Sequence, residues 1–122
     1  MLTLTSTQSH PPQTLGDFVW VDLNPRQGDE QSGHRPALVL SPKSYNQRTG
    51  LCILCPATRQ NKGYAFEVAC PTDDDPNGVM LADHVRSVDW RARRARLIDR
   101  VEQEVLDEVV ARLEALIIDP DS

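Results

Sequence analysis

Glu30, His34 and Arg35 fall within one six-residue stretch, in a polar loop bracketed by Gly28 and Gly33 and followed by Pro36. A carboxylate can remove a proton and an imidazole can exchange one near neutral pH. A guanidinium can neutralise charge developing on phosphate oxygens. Held between two rigid strands, such a set is what a phosphodiester-cleaving site needs. Asp17–Leu23 supplies the strand before the loop, with Phe18, Trp20 and Asp22 alternating against Val19, Val21 and Leu23. Ala37–Leu40 supplies the strand after it. Adjacent strand residues face opposite ways, so His34 and Arg35 point to different sides of the sheet.

Further short β-type runs follow at Leu51–Pro56, Ala65–Cys70, Val79–Leu81 and Val85–Val88, with a last one over Ala92–Ile98. Asn24-Pro25, Gly33, Gly50, Asn61-Lys-Gly63 and Asp73-Asp-Asp-Pro-Asn-Gly78 punctuate them. Many short strands in a small domain predict a compact barrel or sandwich. Ser44–Arg48 predicts one helical turn that Gly50 closes. A longer helix is expected from an Asp99 N-cap, with Glu102 three residues on, to Asp119-Pro120. Val105, Val109, Leu113 and Leu116, with Leu106 and Ile117 beside them, form its apolar stripe, expected to pack on the core. Residues 1–14 lack periodicity and are expected to be a disordered extension, 15–118 one domain, and 119–122 a tail.

A chain of 122 residues supports one core. No apolar run reaches the length of a membrane span, and the first residues do not read as a secretory signal, so a cytoplasmic protein is expected. The net charge of −5 is unevenly spread. Residues 1–100 hold 12 basic and 11 acidic side chains, whereas residues 101–122 hold one Arg and seven acids. Phosphate binding follows local patches, and Arg86, Arg91, Arg93, Arg94, Arg96 and Arg100 form one, so the acidic total does not exclude a nucleic acid. Cys52-Ile-Leu-Cys55 has a metal-like spacing, but there is no second pair and no nearby His. Residues three apart on a strand face opposite sides, so Cys52, Cys55 and Cys70 are expected as small buried hydrophobes in a reducing compartment. Asp73, Asp74 and Asp75 read as a solvated turn, and no metal or other cofactor is expected.

Several fragments carry a resemblance together. They are Gly16-Asp-Phe-Val-Trp-Val-Asp-Leu-Asn-Pro25, Glu30-Gln-Ser-Gly-His-Arg-Pro36, Val39-Leu-Ser-Pro42, Tyr45-Asn46, Thr49-Gly50 and Pro56-Ala-Thr58. Lys62-Gly-Tyr64, Phe66-Glu-Val68, Gly78-Val-Met-Leu-Ala-Asp83 and Val85-Arg-Ser-Val-Asp-Trp-Arg-Ala-Arg93 complete the set. In this order and spacing they resemble the MazF/PemK-like toxins of toxin–antitoxin systems, and the MazF branch above all. The resemblance implies a mainly β (α+β) fold, an SH3-like small β-barrel with short helices and a C-terminal α-helix. It implies a homodimeric, metal-independent endoribonuclease that cuts single-stranded RNA at short sequences. Attack by the 2′-hydroxyl would leave a 2′,3′-cyclic phosphate and a 5′-hydroxyl. It also implies a MazE-like antitoxin whose acidic disordered tail occupies the RNA groove.

On this resemblance Glu30 is the expected general base, because the substrate's negative charge raises the pKa of a nearby carboxylate. Arg35 matches the family's catalytic Arg and is expected to clamp phosphate oxygens, since a guanidinium hardly deprotonates. Thr58 matches the Thr after the third strand, whose hydroxyl could donate to the phosphate. His34 is expected as a substrate contact, and Asp83 as an acceptor from a base. Arg59, Lys62 and Arg86 are the further expected RNA contacts. Leu81 and His84 depart from residues common in the family, so sequence preference could differ from either well-known branch. A CcdB-like gyrase poison would share the barrel, but it depends on an aromatic-containing C-terminal end, and this chain finishes Ile117-Ile-Asp-Pro-Asp-Ser122. A non-catalytic RNA-binding relative is the other alternative; the Glu30, Arg35 and Thr58 set argues against it. The Gly borders of the opening loop suit a flap over the groove.

Overall fold

The computed structural model describes residues 14–23, 34–72 and 75–118. Glu30, the suggested flap, the N-terminal extension to residue 13, Asp73, Asp74 and the Asp119-Pro120 helix stop lie outside the described residues. Among the described residues there are seven strands and two helices. They are β1 (Asp17–Asp22), β2 (His34–Val39), α1 (Lys43–Thr49), β3 (Leu51–Thr58), β4 (Glu67–Ala69), β5 (Val79–Leu81), β6 (Arg86–Asp89), β7 (Arg96–Arg100) and α2 (Gln103–Ile117).

All pairings are antiparallel, in the order β4-β5-β3-β2-β1-β7, with β6 also on β3. The fold is therefore mainly β with two helices, as the strand pattern requires. Among the described residues the hydrogen-bonded path ends at β4 and β7 and does not close into a ring. β3 pairs with β2 along one edge and shares its other edge between two partners. Leu51–Leu54 face β6, while Ala57 and Thr58 face β5.

Period-two alternation sorts the apolar residues into two buried clusters. Phe18, Leu38, Cys55, Ala57, Val68 and Met80 form one, which Leu106 and Val109 of α2 cover. Val19, Val21, Ala37, Val39, Cys52 and Leu54 form the other, with Val88, Trp90 and Ala95. Cys52 and Cys55 thus fall in different clusters, and all three thiols are free and buried. Burial pushes the Cys52 and Cys55 thiols up to about 12. Asn46, buried on α1, accepts the Trp90 indole N–H at its carbonyl (3.0 Å), tying the helix under β3 to the turn after β6. Gly50 ends α1 at φ +74°, a left-handed conformation suited to glycine.

Two expectations about the C-terminal third need correction. The long helix starts at Gln103 with Glu102 as its N-cap, and Asp99 belongs to β7. Long-range pairing overrides the local capping signature there. Asp99 pairs with Phe18, the Arg100 guanidinium donates to the Asp17 carboxylate at 2.5 Å, and Val101 N–H donates to the Gly16 carbonyl. The apolar stripe, in turn, packs only over its first half. Leu106 and Val109 are buried, but Leu116 and Ile117 are 47% and 71% exposed because the sheet does not reach them. Similarly, the run expected over Ala65–Cys70 is extended only from Glu67, since a turn closes between the Tyr64 carbonyl and Glu67 N–H.

Leu106→Ala should cost about 2–4 kcal/mol in urea unfolding, because the cavity opens under the sheet where α2 is anchored. Gly50→Ala should cost about 1 kcal/mol through backbone strain alone, as the nearest atom to the added Cβ lies 3.8 Å away. At pH 8 iodoacetamide should leave Cys52 and Cys55 unmodified in the folded protein and label both in urea.

Candidate active site

The face of the sheet carrying the second cluster continues beyond its apolar residues into a cleft of about 800 Å³. Parity on three strands supplies its floor. Arg35 shares a face with Ala37 and Val39, Thr58 with Cys52 and Leu54, and Arg86 with Val88. All three line the cleft, with Leu23, Pro56, Leu81 and His84. Extending the β2–β3 register from Ala37↔Pro56 by two residues sets Arg35 opposite Thr58. A guanidinium and a hydroxyl on adjacent strands therefore meet one space. Thr58 Oγ1 accepts the Gln60 N–H at 3.2 Å, which directs the hydroxyl proton elsewhere.

The segment after β3 builds one wall, with Gln60, Lys62, Tyr64 and Glu67 lining the cleft. The Glu67 carboxylate accepts the backbone N–H groups of Lys62 and Tyr64, each at 3.0 Å. The Tyr64 hydroxyl donates to Asp83 Oδ2 at 2.8 Å. That hydrogen bond, reinforced by the carboxylate charge, pushes the Tyr64 phenol above its ordinary pKa. The other carboxylate oxygen, Asp83 Oδ1, is buried with no hydrogen-bond partner among the described residues, and His84 Nε2 stands 3.8 Å from it. Behind the wall, Arg112 of α2 donates to the Ala65 carbonyl and at 2.7 Å to Glu108.

Among the described residues, Arg35, Lys62 and Arg86 place three cations on the cleft against one lining carboxylate, Glu67, whose oxygens are engaged by backbone N–H groups. Such a surface suits a polyanion. Arg35, Thr58, Lys62 and Arg86 are thus brought together as the sequence suggested. His34 is not: it stacks on Trp20 across the β1–β2 pair, with ring centroids 5.9 Å apart, on the face opposite Arg35. Arg59 lies outside the cleft lining and pairs with Asp75 at 3.5 Å on the surface. Asp83 reaches the cleft through Tyr64. Of the six-arginine cluster only Arg86 lines the cleft. Arg91 covers the Trp90 ring, Arg93 donates to the Asp22 carbonyl and Arg100 holds Asp17.

Sequence reasoning missed Tyr64, Gln60 and Glu67 as site residues. The signal that could have found them is an aromatic two residues after Lys62 in a Gly-containing loop. Among the described residues no group of three His, Cys, Asp or Glu side chains is placed to hold a metal ion, and no helix is long and apolar enough to cross a membrane.

Residues 14–117 match the model of the PemK-like, MazF-like toxins of type II toxin–antitoxin systems. The chain is 48% identical over 103 residues to the endoribonuclease toxin MazF of Escherichia coli K12, covering 84% of this chain and 92% of that one. It is also similar to the crystal structure of MazF from Deinococcus radiodurans, at 48% identity and a TM-score of 0.76, with 88% of this chain and 97% of that one covered. A MazE–MazF crystal structure from the same organism gives 46% identity and a TM-score of 0.77, with 88% and 97% covered. With the match spanning almost the whole described chain, this protein belongs to the PemK-like, MazF-like toxins of type II toxin–antitoxin systems.

Proposed function

We propose that the chain is the toxin of its pair and acts as a sequence-specific, metal-independent endoribonuclease on single-stranded RNA. The observation that carries this reading is the convergence of Arg35 and Thr58 from adjacent strands on a cationic cleft. The endoribonuclease names of its relatives agree with it. In the reaction the substrate's 2′-hydroxyl loses its proton and attacks the adjacent phosphorus. The new bond from the 2′-oxygen forms as the bond to the 5′-oxygen breaks, and that oxygen leaves with a proton from solvent. A 2′,3′-cyclic phosphate and a 5′-hydroxyl result.

Arg35 clamps the non-bridging oxygens as charge builds on them, which lowers the barrier without any proton leaving the guanidinium. Thr58 donates its hydroxyl proton to the same phosphate. Glu30, five residues before Arg35 in the sequence, takes the 2′-hydroxyl proton. Lys62 and Arg86 hold flanking phosphates. A homodimer acting in the cytoplasm, and a MazE-like antitoxin whose acidic segment occupies the same cleft, complete the reading. The solved MazE–MazF relatives support such a partner, and the cleft's cations suit an acidic chain.

Purified protein should cleave a long single-stranded transcript in EDTA and leave cyclic phosphate ends; a requirement for a divalent ion would overturn the mechanism. Arg35→Ala should lower the cleavage rate at least a hundredfold, by about the amount that losing one preorganised donor costs. Glu30→Gln should abolish cleavage while retaining RNA binding. Lys62→Ala and Arg86→Ala should each reduce the slope of log affinity against log salt by about 0.7, the value for one phosphate contact to a single strand.

A further inference from the structure

Tyr64 is an unusual wall residue. It is 48% exposed and lines the cleft, yet its ring is fixed from two sides. The Phe66 ring meets it edge-on, with centroids 5.9 Å apart and planes at 62°, and its hydroxyl is bound to Asp83. The backbone on either side is fixed too, by the Glu67 carboxylate at Tyr64 N–H and by Arg112 at the Ala65 carbonyl. An exposed aromatic held this way has little rotational freedom left to lose. A single strand crossing the cleft would have its phosphates on Arg35, Lys62 and Arg86, leaving its bases to find a partner. An aromatic face beside a cationic track is what an unpaired base stacks on.

Asp83 sits on the far side of the phenol. It does not line the cleft, one of its oxygens is already accepting from Tyr64, and the other is buried. A base reaching for the carboxylate would have to compete with the phenol for Oδ2, the oxygen that is not buried.

We propose that Tyr64 is the nucleobase-stacking residue of the cleft and that Asp83 is its positioning residue, acting through the phenol and not by touching RNA; this rests on the endoribonuclease reading above. Stacking is tolerant of base identity, so Tyr64 strengthens the hold on the strand more than it selects a particular base.

The probe is a fluorescein-labelled, mixed-sequence 2′-O-methyl RNA, which cannot be cut, read by anisotropy alongside cleavage of a long transcript. Tyr64→Ala should weaken binding roughly tenfold or more and raise KM far more than it lowers kcat, with the thermal unfolding midpoint unchanged. Tyr64→Trp should restore binding, and its added fluorescence should be quenched by an unlabelled strand beyond any quenching of the parent protein. Asp83→Ala should weaken binding alone but add nothing in a Tyr64→Ala background, the non-additivity expected of residues acting as one unit. Asp83→Asn, which keeps an acceptor for the phenol, should restore most of the loss. Unchanged binding in Tyr64→Ala, an unquenched Trp, or an Asp83→Ala effect that adds in full would each overturn this inference while leaving the nuclease assignment standing. A parent protein that leaves the transcript intact would overturn the nuclease assignment, and this inference with it.

Discussion

The site depends on how β3 divides its outer edge between two strands, and Pro56 is the residue that permits the division. Leu40 N–H donates to the Ile53 carbonyl, which marks that pair of the β2–β3 ladder as hydrogen-bonded. Pairs alternate, so Leu38 and Cys55 are the next bonded pair, while Ala37 and Pro56 are a non-bonded one. The nitrogen of Pro56 therefore points away from β2, toward the edge where β6 stops at Leu54 and β5 takes over at Ala57. Proline brings no N–H to be satisfied there. The residues linking β5 to β6 can leave the sheet at that point without stranding a donor, and the cleft opens beside them.

Much of this was legible because it follows from short-range rules. Alternation separated His34 from Arg35 and Cys52 from Cys55, and the structure puts each pair on opposite faces. Gly50 marked the end of α1 through a left-handed conformation that glycine adopts more readily than other residues. What could not be read is what distant residues impose. Asp99 carries a good capping signature, yet β1 claims it as a strand residue from more than eighty positions away. Tyr64 gains its place from Asp83, nineteen residues on. Leu116 and Ile117 fit the helical stripe, but a stripe cannot say how far the sheet beneath it extends. The arginine cluster was similarly opaque: composition counts guanidiniums, and only folding decides that Arg100 is spent on Asp17 while Arg86 is left for the cleft.

Charge is segregated in a related way. The chain's acidity is concentrated in its last twenty-two residues, most of which form α2 on the far side of the first cluster. The cleft is cationic in a protein of net charge −5. At physiological ionic strength, screening over about 8 Å keeps exposed charges largely local, so the two regions coexist without cancelling.

The wall from Gln60 to Glu67 is held differently from the floor. Arg35 and Thr58 are placed by the strands that carry them, where a slip of one residue would turn every side chain over. The wall is placed largely by side chains, among them Glu67, Asp83 and Arg112. Exchanges among these side chains can therefore reshape the wall while the sheet keeps Arg35 and Thr58 in register.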